Sequence, residues 1–116
     1  MAGFDRDFAD ALVAATADRA DAAGLSGIVE LALGKTSSLV LELVDGRVVG
    51  VAEGIEPGEA NVRIPFTGAQ RAAWLAGEFD LTKAYMRGDL KPEGRSGDLI
   101  AALQLLDDPA VYGALS

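Results

Sequence analysis

Residues 27–51 read GIVELALGKTSSLVLELVDGRVVGV, and this stretch decides the fold. Three runs rich in Val, Ile and Leu, at 28–33, 39–44 and 47–51, are separated by turn chemistry. Asp45-Gly46 sits between the second and third. An Asp-Gly pair at a two-residue spacing is the strongest short-range hairpin signal, because the twist of the flanking strands calls for positive φ at both turn positions. Gly34-Lys35-Thr36-Ser37-Ser38 connects the first run to the second. The stretch therefore predicts a three-stranded antiparallel meander.

The alternation within these runs is incomplete. Val29, Leu31 and Leu33 share one face, as do Leu39, Leu41 and Leu43, but Ile28 and Ala32 flank Glu30 on the other face, and Val40 and Val44 flank Glu42. A sheet with one wet side normally carries more polar residues there. Either β-branched propensity fills an exposed face, or something apolar, a helix or a ligand, covers part of it.

Upstream, residues 4–22 place Phe4, Phe8, Ala11, Leu12 and Ala15 on one stripe at helical spacing, and Gly24 is a natural stop. Downstream, a Gly/Pro/Glu loop at 53–60 leads to a fourth strand at 61–66, with Val62, Ile64 and Phe66 on one side. Thr67 and Gln70 have capping-box spacing for a short helix through Ala76, which Gly77 ends. Asp80 is placed to cap a further helical turn carrying Leu81, Ala84 and Tyr85. After Gly88, residues 89–93 predict a fifth strand, held to an edge by Pro92, which has no N–H to donate. Ser96 is the expected cap of a last helix whose apolar side carries Leu99, Ile100, Leu103 and Leu106.

The chain has 116 residues, which predicts a single domain over 1–116. Half of the residues are hydrophobic, enough for one core without a disulfide or structural metal. Cysteine and histidine are both absent, which removes thiol nucleophiles, Cys/His zinc sites and histidine general bases. A net charge of −8 repels phosphate backbones and anionic membrane surfaces. Nucleic acid is accordingly not an expected partner. Asp5, Arg6 and Asp7 interrupt any apolar run near the start, so neither a signal peptide nor a membrane-spanning segment is read, and a soluble, cytoplasmic protein is expected.

Several constellations bear on chemistry. Gly34-Lys35-Thr36 has the ending of a phosphate-binding loop, but Val29 stands where the first glycine belongs, so the motif fails. Glu53, Glu56 and Glu59 could hold a hard cation only with a scaffold that their loop lacks, and neither a metal nor a cofactor is expected. Glu30 and Glu42 could meet on one apolar-flanked face as an acid/base pair, although two solvated charges are the favoured reading. Trp74, Leu75, Phe79, Leu81, Tyr85 and Met86 gather around the Gly77 break, as plain core or as an adaptable apolar pocket.

Residues 84–94, AYMRGDLKPEG, followed by an apolar helix, resemble the signature of the sterol carrier protein 2 family of lipid-binding domains. The Asp45-Gly46 hairpin and the WLAGEFD step at 74–80 occur in the same order as in that family. The resemblance implies an α+β fold: a five-stranded mixed sheet, the meander plus two further strands, with helices packed on one face. It also implies non-catalytic binding or transfer of a fatty acid, acyl chain or sterol-like lipid in an apolar tunnel between sheet and helices. Carried over, the tunnel lining would be Ile64, Phe66, Trp74, Leu75, Phe79 and Met86, completed by Leu90, Ile100, Leu103 and Leu106. Two other readings stay open. One is a small enzyme or cyclisation scaffold using an enclosed carboxylate or Tyr85; the other is a homo-oligomeric module, such as a homodimer, joined through the second sheet face.

Overall fold

The Asp45-Gly46 turn forms as its chemistry dictates, with φ of +52° at Asp45 and +78° at Gly46. The computed structural model describes residues 6–17, 26–34, 37–52 and 59–115. Helix α1 (Arg6–Thr16) precedes strands β1 (Gly27–Leu33), β2 (Ser37–Val44) and β3 (Arg47–Val51). Then come β4 (Val62–Phe66), α2 (Gly68–Leu75), α3 (Leu81–Arg87), β5 (Glu93–Gly94), α4 (Ser96–Leu106) and α5 (Pro109–Leu115). The sheet has five strands in the order β3-β2-β1-β4-β5. It is mixed, because β4 joins β1 in parallel while the other pairings are antiparallel. Phe4, Gly24, Lys35, Thr36, Glu53 and Glu56, which entered the sequence reading, lie outside the described residues.

Register puts one set of side chains on the helix-bearing face. Val29 pairs with Leu41 and Val62, and Leu31 pairs with Leu39 and Ile64. All six are buried. At one edge, α1 lies along β3, and buried Thr16 joins them: its hydroxyl donates to the Leu12 carbonyl at 2.8 Å and accepts the Val48 N–H at 2.9 Å. That contact occupies a donor which an exposed edge strand would offer to another chain.

The helix caps after β4 follow the sequence. Thr67 and Gln70 form the reciprocal capping box, with bonds of 3.0 and 2.9 Å, and the Asp80 carboxylate accepts the Lys83 N–H at 2.9 Å. Three expectations are corrected. The fifth strand is Glu93–Gly94 rather than 89–93, because the Asp89 and Leu90 N–H groups turn back onto the Ala84 carbonyl to finish α3, and Leu90 enters the core. Helix α4 has Arg95 at its N-cap with no side-chain cap, so Ser96 begins the helix instead of capping it. Finally, α5 is a separate helix that the sequence reading omitted. Its signal is Asp108-Pro109: the Asp108 carboxylate accepts the Ala110 N–H at 2.9 Å, and proline suits the first helical position.

Two contacts lock the layers together. Fully buried Trp74 stacks on Phe66 of β4, with centroids 5.4 Å apart, and tilts against Phe8 of α1 at 6.1 Å. Its indole N–H donates to the Leu106 carbonyl at the end of α4, at 2.8 Å. At the opposite edge of the sheet, Gly94 has φ of +147°, and a Cβ there would stand 2.5 Å from the Asn61 carbonyl oxygen. Only glycine lets β5 close on β4.

Gly94→Ala is therefore expected to cost about 3 kcal/mol in urea unfolding. Gly97→Ala in the first turn of α4, where an added Cβ meets nothing within 4 Å, should gain about 0.5–1 kcal/mol. Equal effects at the two positions would contradict this assignment. Trp74→Phe keeps an aromatic ring but removes the indole N–H and strands the buried Leu106 carbonyl, and the same measurement should show a loss of about 2 kcal/mol.

Candidate functional site

Sheet and helices do not meet everywhere. Between β1, β2 and β3 on one side and α4 on the other lies a small apolar void of about 10 Å³. Its lining is Val29, Leu31, Leu41, Leu43 and Val48 from the sheet and Ala102, Leu105 and Leu106 from the helix. The sheet contributes alternate residues because period-2 strands direct every second side chain to one face. On this side α4, which reads SGDLIAALQLL, contributes Ala102, a single methyl group, beside Leu105 and Leu106. No lining residue carries an ionisable or hydrogen-bonding side chain, so the void offers apolar contact alone. At rest it is narrow, with space for about one water-sized molecule at a time.

The ten residues expected to line a tunnel are distributed differently. Ile64, Phe66, Trp74, Leu90, Leu103 and Leu106 are buried in one core, and Leu75, Phe79 and Ile100 are partly buried against it. Among them Leu106 alone borders the void. Met86 is corrected outright, being 77% exposed. Helix α3 buries Leu81 and Ala84, one turn apart, and this turns position 86 to the solvent side. The residues missed were those of the meander and α4. Their signal was present as the shared face of Val29 and Leu31 with Leu41 and Leu43, but no pattern within a strand shows that the helix opposite will carry an alanine.

Glu30 and Glu42 lie on the other face of the sheet. Glu30 is 7% exposed and forms an ion pair with Arg63, its register partner on β4, at 3.7 Å. Glu42 is exposed and faces Ile28 in the register, not Glu30. The two carboxylates thus have different environments, and neither borders the void. Tyr85 is half-buried on α3.

A polar cleft lies at the corner between α4 and α5, lined by Asp80, Thr82, Lys83, Gln104, Asp107 and Asp108. Its acids serve as helix caps. The Asp107 carboxylate accepts the Leu81 and Thr82 N–H groups at 2.7 and 3.0 Å and the Thr82 hydroxyl at 2.6 Å, tying the corner to the start of α3.

No protein-family model and no curated protein matches the sequence. Solved structures do. A crystal structure of sterol carrier protein 2 superposes with a TM-score of 0.63 at 23% identity, over 97% of this chain and 93% of that one. The solution structure of a conserved hypothetical protein from Thermus thermophilus, described as possibly a sterol carrier protein, gives 0.63 at 26% identity over 99% and 86%. A sterol carrier protein domain from Helicoverpa armigera gives 0.59 at 18% identity over 90% and 86%. By these likenesses the chain has the sterol carrier protein 2 fold over nearly its whole length.

Proposed function

We propose that this chain is a non-catalytic container that reversibly binds a slender apolar molecule, such as an acyl chain, between the sheet and α4. The observation that carries the reading is the void itself, lined only by Val, Leu and Ala side chains. The fold supports it, since the similar structures are described as sterol carrier proteins. Catalysis finds no support at this place, because none of the lining side chains can donate or accept a proton.

Size sets the class of ligand. The resting gap is about 10 Å³, room for about one water-sized group, so any chain enters only if the sheet and α4 part. An unbranched acyl chain needs the smallest separation and a fused-ring sterol a much larger one, and each methylene that enters adds about 0.8 kcal/mol. Among the described residues no helix is long and apolar enough to cross a membrane, and a cysteine-free chain suits a reducing cytoplasm as its place of work.

Native mass spectrometry of the purified chain with a saturated acid of about ten carbons tests the proposal. One bound molecule is expected per chain. Ala102→Leu, which fills the gap with one more branched side chain, should weaken uptake at least tenfold while the fold persists by circular dichroism. A bare mass at every ligand concentration, or undiminished uptake by the filled variant, would contradict it.

A further inference from the structure

We infer that the tip of the β2–β3 hairpin is the gate of the apolar space, swinging on a bulge beside Glu42 and latched by the hydroxyls of Thr16 and Ser26. The inference rests on the container reading, because it names the wall that yields to a ligand. Some wall must yield, since the resting space admits about one water-sized group. Most of the lining is held from two sides. Strand β1, with Val29 and Leu31, lies between β2 and β4. The end of α4, with Leu105 and Leu106, is tied by the Trp74 indole and by the bonds from Asp107 to the start of α3.

Leu43 and Val48 are held differently. They face each other across the hairpin, and both line the space. Pairing with β1 ends at Gly27 opposite Leu43, and β3 is the edge strand, so residues 44–48 pair within the hairpin alone. The ladder is interrupted behind them. Leu43 faces Val48 but Glu42 faces Gly50, which leaves Val49 as the extra residue of a bulge. A bulge breaks the hydrogen-bond ladder and bends its strand, and Gly50 brings no side chain to resist that bend. Beyond the hairpin, two hydroxyls hold the tip: Thr16 accepts the Val48 N–H and Ser26 accepts the Asp45 N–H, each at 2.9 Å. Thr16 is the last residue of α1, and Phe8, two turns earlier, keeps that helix on Trp74 when the tip leaves. Hinge, moving wall and latches thus lie within one short stretch. Each latch is a single hydrogen bond, whose loss shifts an equilibrium by roughly tenfold.

Thr16→Val removes the buried latch at nearly constant shape. In exchange NMR with decanoic acid, its association and dissociation rates should both rise about tenfold while the dissociation constant stays within about twofold, because a gate speeds both directions alike. Thr16→Ser keeps the hydroxyl and should retain wild-type rates. Ser26→Ala, at the exposed latch, should speed both rates in the same way. Amide hydrogen exchange of the ligand-free chain reads the motion independently. Val44 and Arg47 should exchange at least tenfold faster than Leu31 and Leu103, and Thr16→Val should accelerate the first pair alone. Hairpin amides that exchange no faster than Leu31 and Leu103 overturn the gate, whether or not the acid binds. So does a Thr16→Val chain that changes affinity without changing both rates. A hairpin that opens in a chain taking up no acid contradicts the container reading, and with it the gate's role.

Discussion

The hydrogen bond from the Trp74 indole to the Leu106 carbonyl is the constraint around which the helical layer is arranged. A buried carbonyl at a helix end must find a donor. Here the donor comes from a side chain that also stacks on Phe66 and tilts against Phe8, so one residue fixes the ends of α2 and α4, the sheet and the N-terminal helix relative to one another. At the next residue, the Asp107 carboxylate binds the start of α3. The C-terminal end of α4 is therefore held from two sides.

Local rules were legible in the chain wherever a few adjacent residues decide the outcome. Asp45-Gly46 made its turn, Thr67 and Gln70 made their capping box, and Asp80 capped α3. The reading failed where neighbours in space override neighbours in sequence. Residues 89–92 have a strand-like pattern, but the carbonyl of Ala84 captures the N–H groups of Asp89 and Leu90 and delays β5 until Glu93. The signature at 84–94 also has a physical basis. Gly88, at φ of +82°, ends α3 in the left-handed conformation, and Gly94 leaves room for the Asn61 carbonyl.

The candidate site was half legible. Leucines and valines on the helix-facing side of the meander were identified as one apolar face, and an apolar space between sheet and helices was expected. Its place was not. The aromatic cluster at 74–86 attracted the assignment because large rings stand out in a sequence, but large rings fill volume. Phe66 and Trp74 close their end of the core, and Met86 lies in solvent. Empty space belongs to the small residue, Ala102, set against Leu31, Leu41 and Leu43, and an absence of volume is visible only once the opposing surfaces are known. The outer face shows the complementary limit, since the alternation gave its polarity but the burial of Glu30 beside Arg63 emerged from the register of β1 on β4.

The central claim is that a slender apolar ligand occupies the space under α4 and not the aromatic core. Methyl-resolved NMR during titration with decanoic acid reads this residue by residue. Intermolecular contacts from the acyl chain to the methyl groups of Leu41, Leu43, Val48, Ala102 and Leu105 are the predicted result. Contacts confined to Leu75, Phe79 and Ile100, or none at saturating acid, would contradict it.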